Sequence, residues 1–326
     1  MPRAVVVRAF GSPEGFTIEE RDPGAPGRDE VRVRIHAAGV SFVDVLIAEG
    51  RYQLKPPLPF VPGSEVAGII EAVGENVPSS RIGERVCAAA FGSAFSEVAV
   101  VAASQASRIP ETMSFEEASV FRVSYATAYH ALAHRGSLQR GEIVCVLGAA
   151  GAVGYAAVQI GKALGATVIA SASSPEKRAF ALSGGADHAI DSNADDWRAQ
   201  VKAASNDHGL DVVVDPVGDR FSEPAFRSLS WNGRHLVIGF AGGQIPKLAT
   251  NLALLKGASL VGVDIRQFGI REPQNAAMLM PAITALYEAG RIRPPVASTY
   301  SIDGFAEAML EAKAGRTAGR VVIRMR

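Results

Sequence analysis

Alternation of apolar and polar side chains dominates the first third of the chain. Val31, Val33 and Ile35 take every second position of EVRVRIHAAGV, the period of a half-buried strand. AVVVRAF, SEVAGIIEAVG, ERVCAAAF and FSEVAVV are further short β-branched runs, separated by Gly, Pro and acidic clusters. They predict a compact β-rich domain over residues 1–121. The period changes near Phe115. SFEEASVFRVSYATAYHALAHRG carries a capping-box pattern at Ser114 and Glu117 and stops at Gly136, so a helix is expected. Beyond it, continuous Val/Ile/Leu runs alternate with helical periods: EIVCVLG, AVGYAAVQIGKALG, TVIASAS, EKRAFALSGG, LDVVVDPVG, SEPAFRSLSWNG and RHLVIGFAGG. That rhythm predicts an α/β domain over 122–262, a doubly wound parallel sheet with helices on both faces. Residues 263–326 are expected to return to the first domain through a helix around Pro273–Gly290, a short helix at Ile302–Ala314 and the closing strand GRVVIRMR.

The strand EIVCVLG runs into GAAGAVG and then into a helix. From Ala149 this is AxGxxG, a dinucleotide turn with Ala in place of the first Gly. Gly151 allows the backbone to approach a pyrophosphate, and Gly154 allows the helix to pack on its strand. Ala150, Gly151, Ala152 and Val153 would present the helix N-terminal N–H groups to the anion.

About twenty residues further on, ASASSPEKR (Ala170–Arg178) ends the second strand. An NAD-binding turn places an acid there, on the ribose hydroxyls. None occurs between Ala166 and Pro175, and Ala172 takes the expected position. A carboxylate would repel a ribose 2′-phosphate, whereas Ser173, Ser174 and Lys177 can bind one, so NADPH is the expected cofactor. Ser-Pro-Glu also suits a helix cap, and the two roles are compatible.

Composition narrows the partners. Lys+Arg and Asp+Glu are 33 each, and this zero balance favours neither nucleic acid nor anionic lipid. Cys87 and Cys145 lie in apolar runs and read as buried hydrophobes in a reducing compartment. MPRAVVVRAF lacks the apolar core of a secretory signal, so a cytoplasmic location is expected. The uncharged stretch Ile143–Gly161 is long enough to suggest a membrane span, but its glycines divide it into strand, turn and helix.

AAGVSFVDVL, LPFVPGSEVAGIIEAVG, GERV, TAYHAL, VLGAAGAVGYAAVQIGKALGATVIA, GADHAID, LDVVVDPVG and GRHLVIGFAGG, in this order, resemble the quinone oxidoreductase branch of the medium-chain dehydrogenase/reductase superfamily. The resemblance spans essentially the whole chain. It implies a GroES-like substrate domain, a Rossmann domain, NADPH as hydride donor, and quinones or α,β-unsaturated carbonyls as acceptors. It also implies a homodimer joined through the sheet edges, here by the strand Ser259–Val263. Zinc-bearing cousins hold a catalytic metal with Cys and His; the matching positions are Ser41 and Ser64, poor zinc ligands. Two cysteines cannot build the cousins' four-cysteine structural loop. His130 and His134, four apart on a helix, lack a third ligand. No metal is expected. Without a Lewis acid an alcohol is hard to oxidise, but a conjugated carbonyl accepts hydride readily.

By the same resemblance, Asp44 and Tyr52 lie beside the nicotinamide and the substrate mouth, with Ser41 nearby. Tyr52 is either a hydrogen-bond donor to the reduced carbonyl or a stacked wall. Thr127, Phe240 and Ala241 belong to the nicotinamide end, Val217 to the cofactor site, and Ser192 and Arg316 to the 2′-phosphate. The chain departs from many relatives at Ser41 (Asn), Leu46 (Tyr) and Ser192 (Tyr), and Arg122 replaces an apolar residue or proline. Two other readings stay open. One is an enoyl-thioester reductase, with Arg51 and Lys55 at the mouth. The other is a catalytically weak nucleotide-binding or structural protein.

Overall fold

The computed structural model describes residues 1–53, 55–315 and 317–325. The chain divides into two compact units, Met1–Val123 with Pro294–Arg326, and Ser124–Arg293.

The first unit is built on a seven-stranded sheet. Its strands run Val296–Ser301, Arg320–Arg324, Glu30–Val40, Glu65–Val73, Arg85–Ala89 and Ala106–Arg108, and Val98–Ala102 also pairs with Glu30–Val40. All pairings are antiparallel except Val296–Ser301 with Arg320–Arg324. Glu30–Val40 shows the alternation read from its sequence, with Val31, Val33 and Ile35 in the core. Val296–Ser301 was not expected as a strand. It lies at the sheet edge with every second residue exposed, so VASTYS needs few apolar side chains. Helix α1, Phe42–Ala48, follows the long strand.

The second unit carries six parallel strands: β1 (Ile143–Leu147), β2 (Thr167–Ala172), β3 (His188–Asp191), β4 (Leu210–Asp215), β5 (Leu229–Val237) and β6 (Ser259–Gly262). Their spatial order is β3-β2-β1-β4-β5-β6. This is the doubly wound Rossmann order, whose strand direction of travel reverses between β1 and β4. Helix α2 is Ala152–Ala163 and α3 is Pro175–Ser183. The uncharged stretch from Ile143 is thus a strand, a turn and a helix; among the described residues no helix is long and apolar enough to cross a membrane.

Three expectations about elements need correction. The segment 263–293, expected to return to the first domain, groups with the second unit. Phe268 stacks on His130 at 3.9 Å, and the Arg293 backbone N–H donates to Gln159 Oε1 at 2.9 Å, which tie it there. The helix expected around Pro273–Gly290 is two, Pro273–Ala277 and Leu279–Glu288. The helix beginning with the Ser114–Glu117 capping box breaks into Phe115–Ala118 and Arg122–Tyr129, then continues as a π-helical turn over His130–Arg135. The capping box itself forms, with both hydrogen bonds at 3.1 Å.

Candidate functional site

In the second unit, the turn after β1 and the loop after β4 meet at the reversal point of the sheet, where ligands of this fold class bind. Gly148 has φ of 59°, a left-handed conformation that favours glycine, and a Cβ there would strike Val217 Cγ2. Gly154 packs so closely on the Gly148 carbonyl that no side chain fits between them. Gly151 starts α2 with no side-chain cap, and Ala150, Ala152 and Val153 around it are small and only half-buried. The first N–H groups of α2 are therefore accessible to an anion, and the residues fit a dinucleotide pyrophosphate.

The loop after β4 is held by one buried carboxylate. Asp215 is 1% exposed, and Val217 N and Gly218 N donate to its Oδ1 at 2.9 and 2.7 Å. Ser222 Oγ donates to Oδ2 at 2.5 Å, and His235 Nε2 lies 2.9 Å from the same oxygen. Among the described residues His235 Nδ1 is buried with no partner, so the ring is drawn with a proton on Nε2, donating to Asp215 Oδ2. Burial pushes the Asp215 carboxyl up, but the bonds from His235, Gly218 and Ser222 outweigh it and hold the group below its ordinary value. The loop in turn fixes the segment after β5. Ala241 N donates to the Pro216 carbonyl at 3.2 Å and Gly242 N to that of Val217 at 2.8 Å. Val217, Phe240 and Ala241, expected together, do come together, with Phe240 and Ala241 exposed.

At the end of β2, Ala172 is buried at 3% exposure, while Ser173 faces outward. Ala172, where the acid is missing, thus packs inward, and the neighbouring Ser173 is the exposed residue at this strand end. Ser174 caps α3, accepting from Lys177 N at 3.3 Å, as its Ser-Pro-Glu context suggests. Ser192 N donates to the Ala172 carbonyl at 3.2 Å, which brings Ser192 beside the same strand end. Arg178 is engaged elsewhere, with Asp191 at 3.0 Å and the Ala172 carbonyl at 3.3 Å.

The first unit contains a second polar cluster. Ser41 caps α1, and Asp44 completes the box: Ser41 N donates to Asp44 Oδ2 at 2.8 Å and Asp44 N to Ser41 Oγ at 3.1 Å. Ser41 Oγ also donates to Oδ2 at 2.6 Å, and Ser64 Oγ to Oδ1 at 2.8 Å. Asp44 is 2% exposed, and burial drives its carboxyl above the ordinary value despite the serine bonds and the Arg320 charge. Glu65, the residue after Ser64, is equally buried and accepts from Val123 N at 2.7 Å. Burial raises its carboxyl to about 7, against the pull of Arg320, with Asp44 adding to the rise. The cluster is one that can hold a proton near neutral pH. Ser41 and Asp44 are thus brought together. Tyr52 packs half-buried on the same unit's core, with no hydrogen bond to this cluster among the described residues.

Thr127 is buried on the Arg122–Tyr129 helix, and Leu46 is half-buried on α1. Arg316 lies outside the described residues. Arg122 donates to Ser107 Oγ at 2.8 Å and Gln105 Oε1 at 3.1 Å, a bracing role within the first unit. His130 and His134 face each other with Nδ1 atoms 3.3 Å apart, and burial lowers His130 to about 4. Among the described residues, no group of three His, Cys, Asp or Glu side chains could hold a metal ion. Ser222, His235, Glu65 and Arg320 were not singled out from the sequence; only the Asp in LDVVVDPVG and the Glu in PGSE marked their neighbourhoods.

Residues 27–111 match the alcohol dehydrogenase GroES-like domain, and residues 152–281 match the zinc-binding dehydrogenase domain. Quinone oxidoreductase-like protein 2 of Mus musculus is 35% identical over 95% of this chain and 89% of its own. A mycobacterial protein solved in complex with NADPH is 27% identical, with a TM-score of 0.89 over 99% of this chain and 100% of that one. The CurK enoyl reductase is 25% identical, with a TM-score of 0.89 over 100% and 99%. The chain belongs to the quinone oxidoreductase branch of the medium-chain dehydrogenase/reductase superfamily and is an oxidoreductase of that α/β, GroES-plus-Rossmann class.

Proposed function

We propose that this chain is an NADPH-dependent, zinc-independent reductase of quinones or α,β-unsaturated carbonyls. The observation that carries the cofactor reading is the end of β2, where the exposed strand-end residue is Ser173 and Ser174, Lys177 and Ser192 gather without an acid from the strand itself. The likeness to a structure holding NADPH supports the same choice. When bound, NADPH supplies a hydride to the acceptor. The α2 N-terminus at Gly151–Val153 orients the pyrophosphate, Ser173, Ser174, Lys177 and Ser192 receive the 2′-phosphate, and Thr127, Val217, Phe240 and Ala241 position the nicotinamide.

Ser41 and Ser64 match the metal-ligand positions of zinc-bearing relatives, and both hydroxyls are turned onto Asp44. A pair of hydroxyls does not fit zinc, which takes thiolate, imidazole or carboxylate. In this reading the buried Asp44 carboxyl with Ser41 stores a proton for the site, and Tyr52 donates its hydroxyl proton to the reduced oxygen and recovers it from solvent. Purified protein is expected to consume NADPH with quinones or enones and to do so after chelator treatment; loss of activity on chelation would refute the zinc-free reading.

The likeness to an enoyl reductase keeps enoyl thioesters as a second acceptor class. Arg51, one of the two cations offered for them, is paired with Glu49 at 3.3 Å, which weakens that reading. Turnover of crotonyl-CoA above that of simple quinones would reverse the order. We also propose a cytoplasmic homodimer formed across β6, the open edge of the parallel sheet, where Leu260 is 56% exposed. Light scattering that finds only monomer would exclude it.

A further inference from the structure

Among the described residues the 2′-phosphate site read from the sequence has one cation, Lys177, since Arg178 is neutralised by Asp191 at 3.0 Å. The structure brings another cation to the same place from a distant part of the chain. Arg220 is exposed on the turn Asp219–Phe221 that follows β4. Its Nη2 donates to Asn193 Oδ1 at 2.9 Å, and Asn193 Nδ2 donates to the Ser173 carbonyl at 3.2 Å. Asn193 is itself anchored, its N–H donating to Asp191 Oδ1 at 2.9 Å. The Arg220 guanidinium also lies over the Phe221 ring, 4.9 Å from its centroid. The carboxylate of Asp219 is turned onto the Arg220 backbone N–H at 2.7 Å rather than onto the guanidinium.

Resting on the NADPH reading above, we infer that Arg220 is a further cation of the 2′-phosphate subsite, held against Ser173 by Asn193. A guanidinium carries five N–H donors, and Asn193 engages one. The remaining fork matches a phosphate bidentately, which a lone lysine cannot do. Lys177 reaches the site from the first turn of α3 and Arg220 from the turn after β4, so the phosphate is met by cations from two separate elements.

Calorimetric titration of the full-length protein with 2′,5′-ADP and with 5′-AMP isolates the phosphate from the nicotinamide and from turnover. Arg220→Ala is expected to weaken 2′,5′-ADP about tenfold while leaving 5′-AMP unchanged, the loss of one charge-assisted contact. Arg220→Lys should recover part of that loss, and Asn193→Ala should give a smaller one in the same direction. Equal weakening of both nucleotides by Arg220→Ala, or no effect on either while Lys177→Ala weakens only 2′,5′-ADP, overturns the role of Arg220 and leaves the NADPH reading intact. Wild-type protein that binds the two nucleotides equally well overturns the NADPH reading itself, and this inference with it.

Discussion

Asp44 in the first unit and Asp215 in the second are almost equally hidden from water, at 2% and 1% exposure, yet their acidities are driven in opposite directions. Asp44 receives one backbone N–H and two serine hydroxyls. Asp215 receives two backbone N–H groups, a serine hydroxyl and a histidine ring. Burial raises both; only at Asp215 do the donors win. A buried carboxylate with enough fixed donors is a permanent anion that shapes a loop, and one with fewer is a group able to keep its proton.

The strongest way to break the contrast is Asp215→Ala. It strands the Val217 and Gly218 N–H groups, Ser222 and His235, and should destabilise the fold by about 3–5 kcal/mol in denaturant unfolding, the cost of removing one partner of a buried charged network. A loss below about 1 kcal/mol would mean that the four bonds are not organising the loop.

Glu65 tests the other side of the contrast. Its carboxyl lies at about 7 in the folded chain against an ordinary 4.5. Between those values the native state holds a proton that the unfolded chain has released, so stability falls as pH rises through this window. Glu65→Gln keeps an oxygen for Val123 N and should abolish a slope worth on the order of 3 kcal/mol across the window. Melting temperatures that track wild type at every pH would reject the proton-holding cluster.

The third carboxylate is the one the second unit lacks. Ser173→Asp places it at the exposed end of β2 and should weaken NADPH by about one to two decades with NADH unchanged or improved, measured by fluorescence titration. Equal effects on the two cofactors would remove the phosphate from this strand end. The smallest change is Ser41→Ala, which deletes the cap of α1 and one donor to Asp44. About 1 kcal/mol of stability should go, and the Asp44 carboxyl should move still higher, visible as an alkaline shift in the falling, high-pH limb of the pH–rate profile. An unshifted limb would separate Asp44 from proton transfer.

Much of this was legible beforehand because it is local. The period-two pattern of Val31, Val33 and Ile35, the Ser114–Glu117 box, the glycine turn and the serine cap of α3 each depend on residues within a few positions of one another. The break between Phe115–Ala118 and Arg122–Tyr129 was not legible, nor the π-turn over His130–Arg135, since the helical period continues through both. Nor was the burial of Ala172 beside an exposed Ser173, because a strand end exposes one face or the other according to its neighbours.

By itself the sequence determined the two kinds of domain, the nucleotide turn and the acid missing between Ala166 and Pro175, since periodicity, glycine stereochemistry and charge are properties of short stretches. Only the tertiary structure decided that Ser64 reaches Asp44, that His235 clamps Asp215, and that Arg220 stands one asparagine away from Ser173. Those pairs lie 20 to 47 positions apart along the chain, and which of them meet is set by strand order across a sheet, which no local pattern encodes.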